Sequence, residues 1–332
     1  MRRLQGSDAA DRSEAIQILR SGGLVAVPTE TVYGLAADAT NSSAVSTIFE
    51  AKGRPQNDPL IVHIADRGQA EQVCHLPVIA RLLMETFWPG PLTIVLPRLS
   101  SRMIPTLVSS GHPTLALRMP GHPSLRSLLE EGQLFLAAPS ANPFGYISPT
   151  RPEHVEQTMG DRIDALLDGG PCQHGIESTI VQVDDREEVT ILRPGPITQA
   201  DLAKFAPNVK LYNDSRDGES DARRAHPAPG MMKSHYRPSK GLILFPENSD
   251  PPSGDPQTAF VYLRKPPEFT DLAFWLSEDG SGREIAHNLF HTLRKIDNDP
   301  RVRKIAVEFP SGNEGVLSAV RDRLQRAAAP LG

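Results

Sequence analysis

Two cysteines, Cys74 and Cys172, are all that 332 residues contain. They stand far apart and outside any CxxC or Cys/His spacing, so a disulfide framework and a structural zinc site both lack their ligands. Buried or incidental thiols are the expectation. No segment holds the ~20 consecutive apolar residues that a membrane span needs, which predicts no membrane association. The N-terminus, Met1 to Asp8, turns polar at once where a signal peptide would enter an apolar core, and cytoplasmic residence is the default. There is no Walker sequence and no GxGxxG after a strand, so a bound nucleotide would sit outside the standard phosphate loops. HExxH, GxSxG and paired Cys/His are missing as well, which removes the usual covalent nucleophiles. Any catalysis must rest on positioning and charge stabilisation. A net charge of -5 argues against a globally basic nucleic-acid binder and confines any RNA contact to a patch.

What the chain does have is alternation of strand and helix, at a length that favours two domains. Residues 8–20 read as a helix, with Asp8 or Asp11 near its start and Ser21-Gly22-Gly23 ending it. Leu24 to Val27 is a short buried strand that Pro28 closes, opening the loop Thr29 to Gly34. A second helix starts from a Ser42 or Ser43 cap, turns Val45, Ile48 and Phe49 inward and ends at Lys52. Apolar runs at 60–64, 92–96, 114–118, 134–138, 164–167, 178–183 and 189–192 predict strands, with helical patterns near 78–87, 124–130 and 151–159 between them. This is an α/β pattern with a mixed or twisted sheet.

Periodicity stops after Leu202. The stretch Arg223 to Lys240 holds five Lys or Arg, three Pro and no acidic residue, which reads as a linker. Strands at 242–245, 259–263, 272–276 and 305–309, with helices near 281–296 and 313–328, then predict a second, smaller α/β unit with a parallel sheet.

Two short signatures carry the chemistry. Lys52-Gly53-Arg54-Pro55 follows the second helix, with Gly53 as its stop, and Pro139-Ser140-Ala141-Asn142 leaves the run Leu134 to Ala138. Cationic groups and small hydrogen-bonding residues at element ends are what a polyphosphate or a carboxylate requires. Taken singly, each has an ordinary reading: Lys52 and Arg54 as charges favoured at a helix C-terminus, Ser140 and Asn142 as turn formers, Gln56 and Asn57 as polar loop filler.

Five ordered segments resolve the choice. Thr29 to Leu35, Lys52 to Pro55 with Pro59 to His63, Pro139 to Asn142, Ser178 to Val181, and Arg193-Pro194-Gly195 closely resemble the Sua5/YciO/YrdC family in order and spacing. His235-Tyr236-Arg237-Pro238, followed by a small α/β unit, resembles the Sua5 branch. The resemblance implies a YrdC-like twisted mixed sheet with flanking helices over 1–206, a linker and active-site lid over 207–240, and a Rossmann-like parallel α/β unit over 241–332. The implied activity joins L-threonine, bicarbonate and ATP, with Mg²⁺ accompanying the nucleotide, into threonylcarbamoyl-AMP and pyrophosphate. That product feeds t6A modification of ANN-decoding tRNAs, with hand-over to a tRNA threonylcarbamoyl transferase.

By the same resemblance, Lys52 and Arg54 serve catalysis. ATP is assigned to Lys52, Gln56, Asn57, Thr114, Ser140, Asn142, Ser148, Arg193 and Tyr236. L-threonine falls to Thr29, His63, Arg118, the backbone of Ala138, and Ser178. No metal ligand of the protein's own and no general base are assigned. Two rival readings stand beside this one: a non-catalytic RNA-binding or ribosome-maturation module using the same basic concave surface, with a weak RNA contact, and a different carbamoyl-transfer enzyme.

Overall fold

The computed structural model describes residues 1–100, 103–206, 208–212, 228–232, 234–252 and 255–330. Part of the basic linker, Arg223, Arg224 and Lys233 included, lies outside them. Among the described residues the first unit contains β1 (Arg2–Gln5), α1 (Ala9–Arg20), β2 (Val25–Val27), β3 (Gly34–Asp38), α2 (Ser42–Lys52), β4 (Ile61–His63), α3 (Arg67–Val73) and α4 (Val78–Phe87). It continues through β5 (Leu92–Pro97), β6 (Thr114–Arg118), α5 (Pro123–Gly132), β7 (Leu136–Ala137), α6 (Pro152–Met159), β8 (Ala165–Asp168), β9 (Thr179–Val183), β10 (Val189–Arg193), α7 (Gln199–Ala203) and β11 (Val209–Leu211). The second unit contains β12 (Gly241–Pro246), β13 (Thr258–Arg264), β14 (Ala273–Ser277), α8 (Gly282–Asp297), β15 (Lys304–Phe309) and α9 (Leu317–Ala328). No helix among the described residues is long and apolar enough to cross a membrane.

Strands β1 to β11 form one mixed sheet in the order β1-β8-β2-β3-β7-β4-β6-β5-β9-β10-β11. The four later strands form a wholly parallel sheet in the order β12-β15-β13-β14. Three details differ from the sequence reading. The cap of α2 is Asn41, whose side chain accepts the Ser43 and Ala44 N–H groups, so Ser42 and Ser43 are already helical. The run 134–138 contributes only Leu136–Ala137 as strand, because Pro139 follows and the chain turns away. The start of the stretch read as linker is β11, which pairs in parallel with β10 and extends the large sheet.

Register positions the site. His63 pairs with Arg118 and Ile61 with Ala116 across β4 and β6, and alternation sends all four side chains to one face. On that face Ile61, Ala116, Val95, Ile180 and Leu192 make an apolar shelf covered by Ala228 and Met231 of the linker. The second unit packs α8 and α9 against its sheet, and its core continues into Val32, Ile147 and Ile176 of the first unit. Both cysteines are free and buried.

Candidate active site

The two opening signatures meet in space. Asn41 fixes the start of α2, and Gly53 ends it in the left-handed conformation at φ 61°, letting the Arg54 N–H return to Phe49 O at 2.9 Å. Lys52 and Arg54 therefore leave the helix end side by side. The Lys52 Nζ donates to the carbonyl oxygens of both Ser140 (2.5 Å) and Asn142 (2.6 Å). Lys52 thus clasps the turn from behind and is not among the residues lining the central cavity. Arg54 does line it, held by an ion pair with Asp58 at 2.9 Å and a bond to Pro59 O at 2.8 Å.

Nine of the assigned residues reach the cavity: Thr29, Arg54, His63, Arg118, Ala138, Ser140, Ser178, Arg193 and Tyr236. The rest surround it. Ser148 donates to Glu177 Oε1 at 2.5 Å, and Glu177 in turn lines the cavity. Asn142 donates through Nδ2 to Pro143 O and Tyr146 O, which makes it a turn former here. Thr114 begins β6, half-buried and outside the lining. Gln56 is exposed and Asn57 half-buried beyond Arg54, outside the lining. Gly34 lets the first loop approach the turn: a Cβ there would lie 3.2 Å from that of Ala138. Thr29 also works locally, its Oγ1 accepting the N–H groups of Thr31 and Val32.

Arg118 is fixed on three sides. Its Nε donates to Gly90 O at 3.2 Å and its Nη1 to Thr31 Oγ1 at 3.0 Å, while its Nη2 lies 2.7 Å from Glu30 Oε1. These contacts engage three of its five N–H donors and leave two for a carboxylate. Burial works against a charged Glu30, but Arg118 outweighs it and holds the carboxyl below its usual range. Sequence reasoning missed Glu30, although it stands inside the Thr29–Leu35 segment. Burial, then the charge of Arg118, pushes His63 down to about 3. Its imidazole is therefore neutral near neutral pH, and neither ring nitrogen makes a well-formed hydrogen bond among the described residues.

Arg193 also lines the cavity, donating to Ser178 O and Oγ and, through Nη1, to Pro229 O of the linker at 3.2 Å. Tyr236, 1% exposed and at φ 63°, lies across the cavity with His235 against its ring at 4.2 Å. Burial lowers the proton affinity of Lys52, Arg54 and Arg193 alike. A dry site with several cations and few carboxylates suits a polyanion. Lys52, Arg54, Arg118 and Arg193 are all buried, so they present no open basic surface to an RNA backbone.

A family model described as telomere recombination, of the Sua5, YciO and YrdC type, matches residues 17–195. The chain belongs to the Sua5/YciO/YrdC family. A second model, described as the threonylcarbamoyl-AMP synthase C-terminal domain, matches residues 197–329, which is the Sua5 arrangement. Threonylcarbamoyl-AMP synthase of Bacillus subtilis (strain 168) is 38% identical, the match covering 95% of this chain and 92% of that relative. The protein of the same name from Pyrococcus abyssi is 36% identical over 95% and 93%. The crystal structure of P. abyssi Sua5 complexed with L-threonine superposes with a TM-score of 0.87 at 33% identity, covering 98% of this chain and 97% of that one. A variant of that Sua5 with a consecutive His and Tyr replaced by Ala superposes with a TM-score of 0.86 at 32% identity, covering 98% and 95%.

Proposed function

We propose that this chain is a threonylcarbamoyl-AMP synthase, a nucleotidyltransferase that condenses L-threonine, bicarbonate and ATP into threonylcarbamoyl-AMP, pyrophosphate and water, the first step toward t6A in tRNA. The observation that carries the reading is the cavity lined together by Arg54, Arg118 and Arg193, on a chain matched over 98% of its length by a Sua5 solved with L-threonine.

In this reading the threonine carboxylate takes the two open N–H groups of Arg118, whose third side Glu30 holds still. Neutral His63 accepts a hydrogen bond from the threonine amine, which must be unprotonated to attack CO2 or bicarbonate. Thr29, Ser178 and the Ala138 backbone complete the threonine pocket. The resulting N-carboxylate attacks the α-phosphorus and pyrophosphate leaves, so no enzyme nucleophile is required. Arg54, Arg193 and Ser140 face the phosphates where charge builds up, with Lys52, Asn142 and Ser148 shaping that wall and Gln56, Asn57 and Thr114 assigned to the nucleotide's outer parts. Holding three reactants in register contributes on the order of 7 to 11 kcal/mol. Tyr236 excludes water from a carbamate and a mixed anhydride that both hydrolyse readily.

Magnesium enters as part of the MgATP substrate. Among the described residues no group of three or more His, Cys, Asp or Glu is arranged to hold a metal, and the nearby carboxylates Glu30 and Glu177 are engaged by Arg118 and Arg323. The acyl phosphate product calls for a transferase that passes the threonylcarbamoyl group to tRNA, and direct hand-over in the cytoplasm protects it.

The test is a leave-out series. Purified chain is given ATP, Mg²⁺, L-threonine and bicarbonate, and pyrophosphate is followed with each omitted in turn. Release that continues without threonine, or none with everything present, sinks the reading.

A further inference from the structure

The second unit sends one side chain to the rim of the site. Arg323, on α9, is 1% exposed. Its Nε donates to Glu177 Oε2 at 2.8 Å, and its Nη1 to Asp322 Oδ2 at 2.7 Å. The guanidinium carbon lies 5.2 Å from the centre of the Tyr236 ring. That ring also meets Phe290 of α8, stacked at 5.5 Å with 27° between planes. Glu177 lines the cavity and accepts the Ser148 hydroxyl on its other oxygen. One guanidinium from the second unit therefore touches both the residue that covers the cavity and a carboxylate in its wall.

We propose that Arg323 is a positioning residue for the reaction, coupling the docked second unit to the closed placement of Tyr236 and to the orientation of Glu177. The inference rests on the synthase reading above and extends it to the second unit. A buried ion pair adds little to stability that a well-packed apolar pair would not supply, and its distinctive effect is to penalise arrangements in which one partner is missing. Glu177 without Arg323 is a buried carboxylate with one hydroxyl for company. Tyr236 without Arg323 keeps Phe290 on one side and loses the cation on its face. Both penalties vanish together only when the second unit is docked and the linker lies over the cavity. Tyr236 itself holds a positive φ that a non-glycine residue adopts at a cost, so its placement depends on such contacts. Arg323 touches no assigned substrate group and acts through Tyr236 and Glu177.

The test is a double-mutant cycle on the full-length chain. Wild type, Arg323→Met, Tyr236→Leu and the double variant are compared by kcat and KM for ATP in threonine-dependent pyrophosphate release, by ATP affinity in calorimetry, and by thermal melting. Arg323→Met and Tyr236→Leu are each expected to lower kcat/KM for ATP by roughly tenfold or more, with the share of the Arg323→Met loss that runs through Tyr236 absent in the double variant, which therefore falls short of the product of the two losses. Arg323→Lys, which keeps the charge for Glu177 and loses the planar group over the ring, is the fallback if Arg323→Met does not fold, and its loss should likewise disappear in the Tyr236→Leu background. Losses that multiply, or an Arg323 variant with wild-type kinetics, overturn the inference. A wild-type chain that neither turns over nor binds ATP overturns the synthase reading as well, whereas an active wild type with multiplying losses removes this inference alone.

Discussion

Lys52 shows what a single residue's letter can and cannot disclose. Its value as a cation beside small polar residues is legible in the sequence, but the carbonyls of Ser140 and Asn142 that it binds belong to a turn almost ninety positions away. Only the fold decides whether such an ammonium faces the cavity or holds its wall. His63 illustrates the same gap in another way. Alternation with Ile61 placed it on a strand, while its neutral state follows first from burial and then from Arg118, its partner across β4 and β6. That neutrality has a pH consequence. In the unfolded chain His63 takes up a proton near its ordinary value, and in the folded chain only near 3, so the unfolded state binds more protons throughout that window. Stability attributable to His63 is full above the ordinary value and falls as pH drops toward 3. The slope is about 1.4 kcal/mol per pH unit and per group, and His154, also pushed down to about 3 by burial, adds its own. His63→Gln is therefore expected to unfold less steeply with acid than the wild type, by about one proton's worth. Urea titrations between about pH 7 and about pH 5 measure it, and an unchanged slope would mean that His63 is already protonated in the fold.

At the scale of elements, those with strong periodicity or a compact apolar run were legible, down to the three residues of β2 and β4, and those without either were not. α1, α2, α4, α6, α8 and α9 each lie within a few residues of their expected bounds, because their apolar stripes or caps are written locally. β3, Gly-Leu-Ala-Ala-Asp, has small residues and follows a loop, so its identity comes from pairing with β2 and β7. α3 carries two buried apolar residues in seven and depends on the Asp66 cap. β11 has one half-buried and two exposed residues and exists through its pairing with β10. The α2 stop tests how much a terminus contributes to the site. A Cβ added at Gly53 meets nothing within 4 Å, so Gly53→Ala carries only the strain of φ 61°, roughly 1 kcal/mol. Denaturant unfolding should report that loss, with kcat/KM close to wild type because Lys52 remains tied to the turn. A much larger drop in activity than in stability would mean that Gly53 lets the Lys52–Arg54 corner move during turnover.

For the whole molecule, the question is why two units share one site. The large sheet, the Arg118 guanidinium and the Lys52 clasp all belong to the first unit. In this chain, however, the first unit offers Val32, Ile147 and Ile176 to the core of the second. Arg294 of α8 further binds the carbonyls of Ile147, Ser148 and His154 from a fully buried position. Removing the second unit uncovers an apolar patch of the kind that drives association and leaves three carbonyls and Glu177 without their arginines. A fragment ending at residue 212 is accordingly expected to be poorly soluble. Replacing Ile176 with Thr should improve its solubility without restoring activity, since the Tyr236 cover and the Arg323 contact are both gone, and threonine-dependent pyrophosphate release should remain below full length by roughly a hundredfold. Comparing kcat/KM for ATP between the soluble fragment and the full chain decides the matter. Equal values would mean that the second unit stabilises the first without taking part in the reaction, and that the water-excluding cover over the cavity is dispensable.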